Sequence, residues 1–308
     1  MRILLTGATG FLGGALCRAL RVDQYEVTVL SRDPARVAAR CGPDVRTLRT
    51  LGEWTSETAF DAVVNLAGAP IADRRWSAAR RHELRASRVG LTRELVSRLA
   101  AARQRPTVLL SASAIGFYGD CGDRELDEGA SAGEDFLGLL CAEWEAAAQE
   151  AATLGVRVCL LRTGLVLHPS GGVLSRLLPP FRLGLGGRLG DGCQWMSWIH
   201  LDDWVALARR LLEDASASGP FNLTAPQPVT NAFFTAALGR ALRRPTPFPV
   251  PARLLRLLLG ERASLLLASQ RVLPRRAEAL GYRFRCASLG DALSSCLPFR
   301  LRTNTKKD

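Results

Sequence analysis

For the first half of the chain, short apolar runs alternate with stretches whose apolar residues recur every three or four positions. Residues 3–6 read as a strand that runs into Gly7-Ala8-Thr9-Gly10-Phe11-Leu12-Gly13, followed by a helical stretch over 15–20. The pattern then predicts a strand at 26–30 and a helix at 33–40, with Asp33 at its start and Pro34 in its first turn. A third strand, 61–66, breaks at Ala67-Gly68-Ala69-Pro70. One long helix is expected over 77–103, with Val89, Thr92, Val96 and Leu99 as its buried stripe. A strand at 107–111, a helix at 134–154 and a strand at 156–162 continue the alternation. Strands separated by helices argue a parallel sheet covered on both faces, because each crossover lays a helix against it.

Beyond residue 167 the periodicity loosens. Residues 181–192 hold five glycines in twelve positions and read as a loop with unusual backbone angles. Helices follow at 202–215, 230–242 and 289–296, a short strand at 221–223, and a Leu- and Arg-rich segment at 252–268. The expected fold class is α/β, a Rossmann doubly wound parallel sheet with a small, mostly helical C-terminal lobe. The expected division is 1–229 for the sheet domain (substrate-lobe insertions from about 168–200), 230–300 for the lobe, and 301–308 for a disordered tail.

Charge divides along the same boundary. Residues 1–229 carry 26 basic and 25 acidic side chains, whereas residues 230–308 carry 15 basic and only 4 acidic. A basic lobe raises the question of nucleic acid or a membrane surface, with Arg240, Arg243, Arg244, Arg271, Arg275 and Arg276 as the patch. Aromatic residues do not interleave with those arginines as a nucleic-acid surface would require, which argues against nucleic acid. Of 41 basic residues 39 are Arg, and the two lysines are Lys306 and Lys307, so no lysine chemistry is expected inside the fold. Eight scattered cysteines without a C-x-x-C pair read as free thiols of a reducing compartment, and three unclustered histidines predict no metal site. No stretch reaches the roughly 18 apolar residues of a membrane span, and the cytoplasm is the expected location.

The glycine run between a strand and a helix carries the first chemistry. Glycines there allow a tight turn and let backbone approach a pyrophosphate at a helix N-terminus. Gly7, Thr9, Gly10, Phe11, Leu12 and Gly13 are therefore candidate dinucleotide contacts, with Asn65, Leu66, Ala67 and Gly68 against the adenine ribose. At the end of the second strand stand Ser31 and Arg32, which suit a 2′-phosphate and point to NADP(H). Asp33 keeps NAD(H) open as the alternative.

The motifs GATGFLGG, NLAG, SASAIGFYG, LRTGLVL and WIHLDD, in this order, resemble those of the extended short-chain dehydrogenase/reductases, which include the nucleotide-sugar epimerases. NLAGAPI, Arg74-Arg75-Trp76, Ser87-Arg88 with Thr92, and PFRLGLGG are similar to one "epimerase family" branch with its own C-terminal segment. The resemblance implies an NAD(P)-binding Rossmann domain, cofactor contacts at Ser111, Arg162, Thr163 and Gly164, and Ser113 at the family's catalytic Ser/Thr position. It also implies a Tyr-x-x-x-Lys pair, but Leu137 and Cys141 occupy those places. Tyr118, Glu134 and Asp135 remain candidate acid–base groups, Tyr118 foremost, beside Asp127, Glu128 and His200, for which loop capping, solvent exposure or core packing is the stronger reading. Arg182, Gly184, Gly186 and Gly187 are a candidate anion nest for substrate, with Trp198 as a pocket wall. An NADP-dependent epimerase or reductase of an unknown small molecule is expected; a non-enzymatic dinucleotide-binding protein is the alternative. Leu254–Leu259 is a candidate homodimer contact.

Overall fold

The computed structural model describes residues 1–297. The chain runs through β1 (Arg2–Thr6), α1 (Phe11–Val22), β2 (Glu26–Leu30), α2 (Pro34–Cys41), β3 (Arg46–Leu48) and β4 (Ala62–Asn65). Next come α3 (Ala78–Arg85), α4 (Leu91–Ala101), β5 (Val108–Ala114), β6 (Glu125–Leu126), α5 (Phe136–Gln149) and β7 (Arg157–Thr163). The sheet is parallel throughout, in the order β11-β7-β5-β4-β1-β2-β3, where β11 is Gly219–Leu223. The chain winds outward from β1 to β3, then returns to β4 and winds the other way. The switch point therefore lies between β1 and β4, where ligands of such sheets settle at the carboxyl ends of the strands.

The central strands are apolar without alternation because both faces are covered. Ile3 and Leu5 enter one core with Leu16, Leu20, Trp204 and Leu207, while Leu4 enters the other with Val63, Leu95 and Leu99. The helix expected over 77–103 is interrupted: residues 86–90 form a π-helical turn between α3 and α4, a bulge that re-aims the side chains it carries.

The second half adds β8 (Leu165–His168), α6 (Gly172–Arg182), β9 (Trp195–Met196), β10 (Trp198–His200) and α7 (Leu201–Glu213). Then come β12 (Val229–Thr230), α8 (Asn231–Leu242), α9 (Ala252–Leu259), α10 (Ser264–Leu267), β13 (Arg271–Val272), α11 (Arg275–Ala279) and α12 (Leu289–Cys296). A separate core joins α6, α8 and α12 through Leu174, Leu178, Phe234, Leu238, Leu289 and Leu293. The C-terminal segment is tied to the sheet domain: β13 pairs in parallel with β6, nearly 150 residues earlier.

Part of the charge of the basic lobe is met within the chain. Arg271 and Arg275 both reach Glu125, and Arg276 donates to the carbonyls of Ser218 and Pro220. Leu254, Leu257 and Leu258 of α9 face solvent, and only Leu255 of that helix is buried. All eight cysteines are free, although Cys193 is exposed and Cys121 half-buried. Among the described residues no helix is long and apolar enough to cross a membrane, and no metal-binding cluster occurs. The tail expected at 301–308, with Lys306 and Lys307, lies outside the described residues.

Candidate functional site

Gly7 sits at φ 71°, and a side chain there would put its Cβ 2.5 Å from the Leu66 carbonyl oxygen. A Cβ at Gly13 would overlap the Gly7 carbonyl. The loop thus holds β1, the start of α1 and the end of β4 together by bare backbone, which explains glycine at both positions. Gly10 caps α1 without a side-chain hydrogen bond, and the first turn has no acid. The amides of Phe11, Leu12 and Gly13 have no carbonyl behind them, so this helix end is open to an anion.

Asn65 was expected at the ligand, yet its side chain is fully buried: Oδ1 accepts from Thr6 Oγ1 and Nδ2 donates to Thr92 Oγ1, both at 2.8 Å. Thr6 Oγ1 in turn accepts from the amides of Leu66 and Ala67, fixing the turn at the end of β4. At the end of β2, Asp33 Oδ1 accepts from the Arg36 amide as the α2 N-cap, and Ser31 Oγ accepts from the Asp33 amide. Arg32 and Arg36 are exposed there.

Beside the switch point lies a cavity of about 410 Å³. Ser113, Thr163 and Gly164 line it, and so do Leu137 and Cys141, the two residues standing where the resemblance implies Tyr and Lys. Burial pushes the Cys141 thiol up to about 12, so it stays protonated. Ser113 Oγ donates to Glu145 Oε1 at 2.6 Å. Arg162 grips the same carboxylate with two bonds of 2.8 Å, and all three side chains are buried. Burial alone would lower the Arg162 pKa, but Glu145 and Tyr118 hold it above its ordinary value. Its guanidinium also lies 3.5 Å from the centre of the Phe117 ring. Arg162 therefore turns away from the cavity and acts through Glu145, whereas Thr163 and Gly164 face it.

Three expected site residues are placed elsewhere. Tyr118 is buried behind the cavity wall, with its hydroxyl donating to Asn222 Oδ1 and accepting from Arg162 Nη1; burial pushes its pKa to about 12. A hydroxyl engaged on both sides and closed off from the cavity cannot reach a substrate proton. Trp198 is fully buried in the α6–α8–α12 core, where its indole N–H donates to Gln227. Ser111 is buried too, with an unpartnered hydroxyl.

The glycine-rich loop is a packing device. Gly186 lies under the Phe181 ring and Gly187 against the Phe248 carbonyl, and Arg182 is exposed outside the cavity lining. Of that group only Gly187 reaches the cavity. His200 is the α7 N-cap, its Nδ1 accepting from the Asp202 amide. Asp127 caps its loop at Gly129. Glu128, also expected to cap a loop or face water, is instead buried and accepts from the amides of Asn222 and Arg276.

Glu145 and Arg88 escaped the sequence reading. A signal for Glu145 existed: Arg162 follows Cys159-Leu160-Leu161 inside an apolar strand, and such a charge demands a buried acid. Arg88 rides on the π-turn, donates to the Ala69 and Leu84 carbonyls and stacks over Trp144; burial lowers its pKa.

An uncapped helix end at the switch point of a doubly wound parallel sheet marks the class, a Rossmann-type α/β protein. Within it, residues 3–224 match the NAD dependent epimerase/dehydratase family, and the chain belongs to that family. Residues 250–296 match a second family, described as a domain of unknown function. The chain is 43% identical to an "epimerase family protein" of Mycobacterium bovis over 295 residues, 94% of this chain and 96% of that one. The crystal structure of human epimerase family protein SDR39U1 with NADPH superposes with a TM-score of 0.87 at 36% identity, covering 96% and 99% of the two chains. A nucleoside-diphosphate sugar epimerase from Corynebacterium glutamicum is similar at 34% identity and a TM-score of 0.75, over 96% of this chain and 58% of that longer one.

Proposed function

We propose that the protein is an NADP(H)-dependent oxidoreductase or epimerase of a small molecule, with Ser113 contacting the reacting oxygen. The carrying observation is the Ser113–Glu145–Arg162 arrangement at the cavity wall. Because Ser113 gives its hydrogen to Glu145, its lone pairs remain for a substrate hydroxyl. A proton leaving that hydroxyl has Oγ as its acceptor, as the serine proton passes to the carboxylate 2.6 Å away. Arg162 holds the carboxylate in place through both oxygens.

The bare backbone at Gly7 and Gly13 fits a dinucleotide, and Gly7, Thr9, Gly10, Phe11, Leu12 and Gly13 would hold its pyrophosphate. Leu66, Ala67 and Gly68 would lie on the adenine ribose, and Thr163 and Gly164 beside the nicotinamide. When bound, the cofactor supplies or accepts a hydride. Asp33 Oδ1 is engaged as a helix cap and Ser31 Oγ by the Asp33 amide, while the exposed Arg32 is at hand for a 2′-phosphate, which favours NADP(H) over NAD(H). The NADPH in the crystal structure of the human relative supports the same choice.

Titration with both nucleotides tests this. NADPH is expected to bind more tightly than NADH, and Arg32→Ser to weaken NADPH about tenfold while leaving NADH unchanged. Tighter NADH binding, insensitive to Arg32→Ser, overturns the assignment. A cofactor-binding protein without catalysis is the second reading, favoured by the fact that Tyr25, Tyr118 and Tyr282 all lie outside the cavity lining. Bound nucleotide whose nicotinamide hydrogens never exchange in the presence of any carbonyl compound would decide for it.

A further inference from the structure

The cavity has walls of a kind that a nucleotide sugar does not need. Leu140, Leu165, Leu177, Phe234, Leu265 and Leu266 close on it from three helices, a strand and the C-terminal segment. Among the described residues its only charged side chains are Arg88 and Asp135. Arg88 is committed to two backbone carbonyls and the Trp144 ring, and Asp135 Oδ1 caps α5 at the Gly138 amide. Arg182 and Arg188 stay outside. A diphosphate placed here would bring two negative charges next to an aspartate, with no uncommitted cation to meet them.

The roof comes from the C-terminal family segment, through Ser264, Leu265, Leu266, Ala268 and Gln270. It is bolted to the rim rather than hinged. Gln270 Nε2 donates to the Ile115 and Gly119 carbonyls, and the Ser269 amide donates to Asp120. Gln194 holds the Leu266 carbonyl, and Ser197 Oγ donates to the Gln270 carbonyl. These bonds spend the polar groups of the roof on its edges and leave leucines facing inward.

We propose that the cavity takes a compact apolar ketone or aldehyde, or the alcohol that interconverts with it, and that the segment over 250–296 serves to enclose that molecule. The proposal rests on the reading of the protein as an NADP(H)-dependent enzyme. In the reducing direction the carbonyl carbon gains a hydride and its oxygen a proton, and NADPH leaves as NADP⁺. Apolar walls and few polar groups are the usual composition of a site for such a ligand.

The test uses the full chain and two kinds of probe, 2-octanone and acetophenone against UDP-glucose. Quenching of tryptophan emission reads binding directly, since Trp144 and Trp195 line the cavity. Saturable quenching by the ketones, without nucleotide present, and none by UDP-glucose is the expected result. Leu265→Asp is expected to weaken the ketones at least about tenfold and leave NADPH binding within twofold. Leu177→Ala, on the opposite wall, is expected to shift preference toward longer 2-alkanones, and keeps the test open if the roof variant fails to fold. UDP-glucose binding in place of the ketones overturns the proposal, as does the failure of both probes in a chain that binds NADPH. Ketone binding by a chain that ignores both nucleotides would instead sink the reading as an NADP(H) enzyme and leave the apolar cavity standing.

Discussion

Glu145 gives one carboxylate to two buried partners, and the two make opposite demands on a substitution. Glu145→Gln keeps the size but strands the Arg162 guanidinium, at an expected cost of about 3–5 kcal/mol in denaturant unfolding. Ser113→Ala strands no charge but removes a buried bond to the carboxylate, so it should cost less, about 1.5–3 kcal/mol, and lower hydride exchange about a hundredfold or more, with NADPH affinity intact. An equal fall in affinity and exchange would show that Ser113 holds cofactor rather than substrate. Glycine at 7 and 13 was legible in the sequence because the backbone there leaves no room for a Cβ, whereas Ser113 was singled out by the family resemblance alone. Glu145 was not, because a glutamate on an amphipathic helix looks the same whether it meets water or a buried arginine. Tyr118 misled for the converse reason: residue type suggested an acid–base group, while only the fold reveals that Asn222 and Arg162 already use the hydroxyl.

The strands with continuous apolar runs, and the helices with clear caps, lie where the pattern puts them; β2 and α12 match their expected bounds. Asp33 caps α2 as expected, and Thr230 caps α8, since cap chemistry is local. The elements that went unread depend on partners far away. β3 is three residues long, and β6 and β13 are two residues each, a strand only because the other is present. Pro179 and Pro180 hide the last turn of α6, which ends at Arg182 before the glycines begin. Glu128 ties two such distant pieces, β11 and α11, through their amides. Burial raises its carboxyl pKa, so the native state holds a proton that the unfolded chain releases at lower pH. Its contribution is therefore fully present below the unfolded value and is lost as pH rises through the folded one. The stability advantage of the wild type over Glu128→Gln should be largest below about pH 4 and shrink toward neutrality, as read from urea midpoints across that range. An advantage that grows with pH would contradict the assignment.

At the scale of the whole molecule, the excess of basic over acidic residues beyond 230 invited a polyanionic partner, and the fold answers with internal acids and carbonyls. Arg262 donates to the Ala72 carbonyl, Arg81 pairs with Glu261, and Arg271 and Arg275 share Glu125. These contacts stitch the C-terminal segment onto the sheet domain across nearly the length of the chain. Composition could reveal the excess of arginine but not its destinations, since pairing is a property of topology.

The parallel pairing of β13 with β6 has a consequence for the order of events during synthesis. Residues 1–224 can complete their sheet as soon as they leave the ribosome, but Leu126 must wait for Leu273, whose amide donates to its carbonyl. Contacts between residues so far apart in sequence form slowly, because a long loop must close before they repay its entropy. A nascent or truncated chain that stops at residue 249 should therefore carry a nearly finished sheet around an open apolar hollow. Such a chain is expected to bind a hydrophobic dye that the full protein excludes, and to aggregate on standing. The last fifth of the sequence is then what turns a sticky intermediate into a finished protein.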